Sequence, residues 1–134
     1  MIIRENYLKK IDPFIDKPII KVLTGLRRSG KSVLLEQIQD RLIMQGVEPS
    51  QIFTLNFESA KAMHIHDSQD LIDEIQNRPF DFSKKVYIFL DEIQEVQNWE
   101  RAVNTFRVDF DSDIYITGSN SSLLPINGEF QLPS

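Results

Sequence analysis

Strand-like and helix-like segments alternate four times along this chain of 134 residues, and this order restricts the folds that it can adopt. The strand-like segments are short runs rich in β-branched and aromatic residues, at residues 19–24, 52–57, 86–90 and 113–117. Alternation with short connections predicts parallel strands joined by right-handed helical crossovers. We therefore predict the α/β class, a three-layer helix-sheet-helix sandwich with a mainly parallel sheet.

Between the strands, apolar residues recur three or four positions apart, which is the spacing of one helical face. This pattern predicts helices over residues 31–45, from residue 68 and from residue 99. Gly46 suits the left-handed position after the first helix, and Asp67 can cap the second. Periodicity is lost after Leu124, so we predict a folded core over 1–124 and loop, disorder or non-native sequence over 125–134.

Composition limits the classes of function. The chain has no cysteine, which removes disulfides and thiolate metal sites and is typical of a reducing compartment. No apolar stretch approaches the roughly 20 residues that span a bilayer, and the first residues lack a signal-peptide pattern. We expect a cytoplasmic protein without membrane association. A net charge of -5 disfavours nucleic acid binding by this segment.

The segment between the first predicted strand and the first predicted helix fits the pattern G-x-x-x-x-G-K-[ST]. It is Gly25-Leu26-Arg27-Arg28-Ser29-Gly30-Lys31-Ser32, followed by Val33. Backbone N–H groups of such a loop face inward, and the helix N-terminus adds partial positive charge, so together they bind phosphates. Lys31 would reach the β- and γ-phosphates, and Ser32 would offer a hydroxyl to Mg²⁺. Residues 25–33 are therefore predicted to bind a nucleotide.

Two acids end the third predicted strand at the edge of the sheet where the loop lies. Asp91 would bind Mg²⁺ through water, and Glu92 would polarise the water that attacks the γ-phosphate. Sixty positions separate Lys31 from Asp91, enough for the two crossovers that bring the first and third strands together around the loop. The alternative is a helix cap or solvated loop acids.

Polar residues also follow the fourth predicted strand, in the sequence Thr117-Gly118-Ser119-Asn120. Ser119 and Asn120 are candidates to hydrogen-bond the γ-phosphate or the attacking water. An ordinary Gly-Ser-Asn turn is the alternative. Arg27 and Arg28 could pair with a phosphate or with a partner's carboxylate, or remain solvated, so neither is assigned a role.

Four segments together resemble a large group of prokaryotic AAA-type P-loop ATPases with an arginine pair in the phosphate-binding loop. They are residues 25–32, Leu90-Asp91-Glu92-Ile93-Gln94, Asn98-Trp99-Glu100 and residues 116–124. The resemblance implies that Lys31 and Ser32 match the Walker A residues and that Asp91 and Glu92 match the Walker B pair. It also implies that residues 119–120 form the polar end of the sensor strand.

The resemblance covers residues 4–124 and implies ATP and Mg²⁺ as ligands, with ATP hydrolysis coupled to conformational change in the full-length protein. Members of the group usually continue through a Gly-Arg segment, a fifth strand, a helical lid and a C-terminal domain, and residues 125–134 depart from that pattern. A C-terminal domain of the longer chain is therefore an expected partner, and a homo-oligomer is compatible with the group. An arginine finger normally lies beyond the sensor strand.

Three other functions are alternatives to an ATPase. A regulatory module that binds nucleotide with little or no hydrolysis stays open. A small-molecule kinase needs an acceptor pocket and a lid, and no segment supplies them. A GTPase is disfavoured because Asp91 is not followed by Gly three positions later and no Asn-Lys-x-Asp segment occurs.

Overall fold

The computed structural model describes residues 9–17, 19–23, 28–118 and 129–132. Strands and helices alternate along the chain as far as the fourth strand. The elements are β1 (Ile20–Leu23), α1 (Arg28–Met44), β2 (Ile52–Asn56), α2 (Ser68–Gln76), β3 (Val86–Asp91), α3 (Trp99–Asp109), β4 (Ser112–Thr117) and β5 (Glu129–Leu132). Within this described part of the chain, no helix has both the length and the apolar character needed to cross a membrane.

The strands form one sheet in the order β2-β3-β4-β1-β5, and every neighbouring pair is parallel. The predicted α/β class and parallel sheet are confirmed. Strand β4 lies between β1 and β3, because Ile116 is in register with Val22 on one side and with Leu90 on the other. The carboxyl ends of β1, β4 and β3 therefore lie side by side at one edge.

Helices cover both faces of the sheet, as a three-layer sandwich requires. On one face, β3 contributes Ile88 and Leu90 to a core shared with α2 and α3. On the other face, Tyr87 and Phe89 of the same strand pack in a core with α1. Burial on both faces explains why β3 reads as a continuous apolar run instead of an alternating one.

The helix ends follow the predicted caps. Gly46 has φ +104°, its N–H donates to the carbonyl of Ile43 at 3.0 Å, and the N–H of Val47 donates to Leu42 at 3.0 Å. This pair of bonds satisfies carbonyls that the end of α1 leaves without a partner. At the start of α2, the side chain of Asp67 accepts from the N–H of Asp70.

Residues 125–134 were expected to be loop, disorder or non-native sequence, and the first two are wrong for Glu129–Leu132. These four residues form β5, which pairs in parallel register with β1, from Ile20 opposite Glu129 to Leu23 opposite Leu132. The physical reason is that the edge of β1 supplies backbone hydrogen-bond partners, which a four-residue segment needs and which its own periodicity cannot reveal.

A buried ion pair lies at the opposite, amino edge of the sheet. Lys21 of β1 and Asp113 of β4 contact each other, and neither side chain is exposed. The ammonium group of Lys21 also donates to the carbonyl of Lys17 at 2.7 Å. Asp113 accepts from the hydroxyl of Tyr115 at 2.6 Å and from the N–H of Asp16 at 3.1 Å. This network joins β1, β4 and the segment before β1 away from the predicted nucleotide site.

Candidate functional site

Helix α1 begins within the segment that the sequence identified as a phosphate-binding loop. Arg28, Ser29 and Gly30 form its first turn, and no acidic residue lies there. The first N–H groups of a helix have no intrahelical partner, so this end carries a partial positive charge that suits an anion. Val33 is half-buried in the next part of the helix. Gly25, Leu26 and Arg27 lie outside the described residues.

Lys31 joins the ends of two strands. The residue is 4% exposed, and its Nζ donates to the carbonyl oxygen of Gly118 at 3.1 Å. The same atom lies 3.4 Å from Oε2 of Glu92. Gly118 follows β4 and Glu92 follows β3, so the ammonium group lies where those strands end. A buried cation at this edge is a suitable partner for a phosphate.

Ser32 and Asp91 meet across the site. Ser32 Oγ donates to Oδ2 of Asp91 at 2.7 Å, and Asp91 is 7% exposed. An ionised carboxylate only accepts hydrogen bonds, so the single hydroxyl proton of Ser32 faces Asp91 and the lone pairs of Oγ remain free. A hydroxyl oxygen beside a carboxylate is a hard-oxygen donor set of the kind that Mg²⁺ prefers. These two residues therefore fit the predicted metal position.

Glu92 adopts an unusual backbone conformation at the end of β3. Its φ of 59° and ψ of 51° place it in the left-handed region, which costs a residue with a Cβ about 1–2 kcal/mol. The chain turns there into a short 3-10 segment, Ile93–Glu95. Such conformations persist where surrounding contacts enforce them, and they concentrate at functional sites.

Gln94 is a site residue for which the sequence indicates no role beyond its place in the resemblance. The turn after Glu92 returns its side chain, so that Nε2 donates to Oε1 of Glu92 at 2.8 Å. Since the carboxylate only accepts, the amide nitrogen must face it. Oε1 of Gln94 is buried and has no hydrogen-bond partner among the residues that the structure describes. A buried acceptor of this kind is suited to a bound water.

Thr117 is a second residue whose role the sequence did not reveal. It is fully buried at the end of β4, and its hydroxyl contacts the carboxylate of Asp91 and the backbone N–H of Glu92. Ser119 and Asn120, which were the predicted sensor residues, lie outside the described residues. Among the predicted site residues that the structure describes, it brings together Lys31 with Glu92 and Ser32 with Asp91.

A family model described as an AAA domain matches residues 17–133. This chain belongs to the AAA domain family. The match begins before β1 and extends past β5, so it includes every strand of the sheet. Membership supports nucleotide binding and an ATPase-like activity for this AAA domain.

Two relatives match most of this AAA domain. An uncharacterized protein of Haemophilus influenzae is 48% identical over 124 residues, which are 92% of this chain and 31% of that protein. An uncharacterized protein of Methanocaldococcus jannaschii is 33% identical over 105 residues, which are 78% of this chain and 22% of that protein. The AAA domain therefore spans less than a third of the length of either relative. No solved structure matches it significantly.

Proposed function

We propose that this AAA domain binds ATP together with Mg²⁺ at the carboxyl edge of its sheet and hydrolyses the bond between the β- and γ-phosphates. The observation that carries the proposal is the meeting of two sequence-distant pairs, Lys31 with Glu92 at 3.4 Å and Ser32 with Asp91 at 2.7 Å. A cation, a hydroxyl and two carboxylates are the groups that phosphoryl transfer to water requires. In the longer protein, we propose that this hydrolysis is coupled to movement of a further domain.

Each residue has a distinct role in this proposal. Lys31 holds the β- and γ-phosphates, while the first turn of α1 directs its N–H groups toward them. The residues that would hold Mg²⁺ are Ser32, through its hydroxyl oxygen, and Asp91, through its carboxylate. The metal ion would neutralise charge that develops on the phosphate oxygens. Ser119 and Asn120 remain candidates to contact the γ-phosphate from the end of β4.

Glu92 and Gln94 support hydrolysis in preference to binding alone. The carboxylate of Glu92 can accept a proton from a water, and Gln94 donates to that carboxylate through its amide nitrogen. The orphaned Oε1 of Gln94 is a second acceptor in the same place. Two adjacent acceptors can orient both O–H bonds of one water, which is what a nucleophilic water in a hydrolase needs.

A regulatory binding module is the second candidate function. It is favoured by the fact that both carboxylate oxygens of Glu92 are already engaged, one by Lys31 and the other by Gln94. A carboxylate that stays in these contacts while nucleotide is bound could not accept a proton efficiently. In that case occupancy by ATP or ADP would set a conformation without turnover.

Single-turnover hydrolysis with protein in excess over labelled ATP separates the two functions. We expect the parent to convert bound ATP to ADP, and Glu92→Gln to retain ATP while its rate falls on the order of 10²- to 10⁴-fold. Glu95→Gln is a matched control, because Glu95 lies in the same short turn and is exposed. Tight binding by the parent with negligible product would favour the regulatory module. Equal rates in the parent and Glu92→Gln would remove Glu92 from the mechanism.

A further inference from the structure

The hydroxyl of Thr117 contacts both members of the acid pair. Its Oγ1 accepts from the backbone N–H of Glu92 at 3.0 Å and donates to Oδ1 of Asp91. Thr117 is the last residue of β4, whereas Asp91 is the last residue of β3 and Glu92 follows it. One side-chain atom of the central strand therefore links the two acids from behind.

The direction of each bond follows from the groups involved. A backbone N–H only donates, so Oγ1 must accept from Glu92. The one proton of the hydroxyl is then available for Asp91, whose ionised carboxylate only accepts. Because Ser32 donates to the other oxygen, Oδ2, the carboxylate of Asp91 is held between two hydroxyls from different elements. Its orientation is thereby fixed.

The same hydroxyl supports the strained backbone of Glu92. The left-handed conformation of Glu92 turns its N–H toward β4, and Thr117 supplies the acceptor that this buried N–H needs. Without that acceptor, the N–H would be buried and unpaired, which is unfavourable. The hydroxyl thus stabilises the conformation that directs the Glu92 side chain toward Lys31 and Gln94.

We propose that Thr117 is a positioning residue that fixes the carboxylate of Asp91 and the backbone of Glu92 through a single hydroxyl group. This inference rests on the proposed function where it concerns turnover, but its geometric part is independent of activity. Thr117 does not touch the phosphates in this account. It acts only through the two acids.

The test compares the variants Thr117→Ser, Thr117→Cys and Thr117→Val. Ser keeps the hydroxyl without the methyl group, and Cys has the shape of Ser with a thiol that is only a weak donor and acceptor. Val removes the hydroxyl and keeps the branched side chain. Thr54→Val is the matched control, because Thr54 is an exposed strand residue in β2. If Val does not fold, the comparison of Ser with Cys still isolates the oxygen atom.

Three measurements are made on each variant: amide hydrogen exchange at Glu92, the dissociation constant for ATP, and the single-turnover rate as a function of Mg²⁺. We expect exchange at Glu92 to accelerate about tenfold in Val and Cys but not in Ser, while the amides of β3 stay protected. We expect the turnover rate to fall on the order of 10²-fold in Val with little change in ATP affinity. The turnover rate of Cys should lie between those of Ser and Val. The Mg²⁺ concentration that gives half the maximal rate should rise in both Val and Cys.

The outcomes for Thr117 and for the proposed function are distinguishable. Unchanged exchange at Glu92 in both Val and Cys would overturn the inference, whatever the activity. Faster exchange with unchanged turnover and Mg²⁺ dependence would also overturn it, since the positions of the acids would not matter. A parent protein that shows no turnover would refute the proposed hydrolysis, and the exchange result would then decide the geometric role of Thr117 alone.

Discussion

Replacement of Lys21 with Met tests the buried ion pair at the amino edge of the sheet. The variant keeps much of the side-chain volume but leaves the buried carboxylate of Asp113 without its cation. Removal of one partner of a buried pair costs about 3–5 kcal/mol of unfolding free energy. Asp113 retains two donors, the hydroxyl of Tyr115 and the N–H of Asp16. We therefore expect a loss near the lower end, about 3 kcal/mol.

Urea denaturation followed by the fluorescence of Trp99, the single tryptophan and a buried one, measures this loss. Lys84→Met removes an exposed lysine and should change stability by less than about 0.5 kcal/mol. Adding Asp113→Asn to Lys21→Met removes the unpaired carboxylate and keeps an oxygen that can accept from Tyr115 and Asp16. Stability should therefore return to within about 1 kcal/mol of the parent. A loss in Lys21→Met no larger than in the control, or losses that simply add in the double variant, would refute the reasoning.

The same pair predicts how stability depends on pH. Burial raises the pKa of Asp113 above its usual 3.8. At pH values between 3.8 and this raised pKa, the folded protein binds more protons than the unfolded protein, so stability falls as pH rises. Burial lowers the pKa of Lys21 below its usual 10.5. At pH values between this lowered pKa and 10.5, the folded protein binds fewer protons than the unfolded protein, so stability rises with pH. The stability of the double variant relative to the parent should therefore be greatest near neutral pH. A stability difference that is constant with pH would contradict this.

Two further substitutions test the caps and the core. Gly46→Ala should destabilise the protein by about 1–2 kcal/mol in the same assay, because φ is +104° and the added methyl group meets no atom within 4 Å that could compensate. Equal stability would show that the helix end adapts. Phe106→Ala should cost about 3–5 kcal/mol because the ring is buried, whereas Val108→Ala on the exposed side of α3 should cost less than about 0.5 kcal/mol. Similar losses for both would contradict the assignment of the helix faces.

The fold was predictable where each element carries its own signal. The continuous apolar run of β3 and the apolar stripe of α3 indicate burial without knowledge of their neighbours. Strand β5 was missed because Glu129–Leu132 is short and obtains its hydrogen bonds from β1. Of the order of strands, only the approach of the first and third strands was predicted, and β4 lies between these two. Periodicity reports which face of an element is buried but not which strand lies beside it.

The site was predictable to the level of elements. Lys31 and Glu92 could be assigned to one edge because both follow strands whose carboxyl ends meet there. The roles of Thr117 and Gln94 could not be read in advance. Thr117 reaches the two acids because β4 lies beside β3. Gln94 reaches the carboxylate of Glu92 because the left-handed conformation of Glu92 turns the chain back at that point. Both depend on backbone geometry that the sequence pattern does not specify.

Calorimetric titration of ATP tests whether the site around Lys31 binds the nucleotide. The titration is performed with and without Mg²⁺ on the parent, on Lys31→Ala and on the exposed-lysine control Lys61→Ala. We expect the parent to bind ATP more tightly with Mg²⁺ and Lys61→Ala to bind it equally well. Lys31→Ala should lose roughly 10- to 100-fold or more in affinity, since a charge-assisted contact with phosphate is removed. Equal ATP affinity in the parent and Lys31→Ala would contradict the assignment of the nucleotide site.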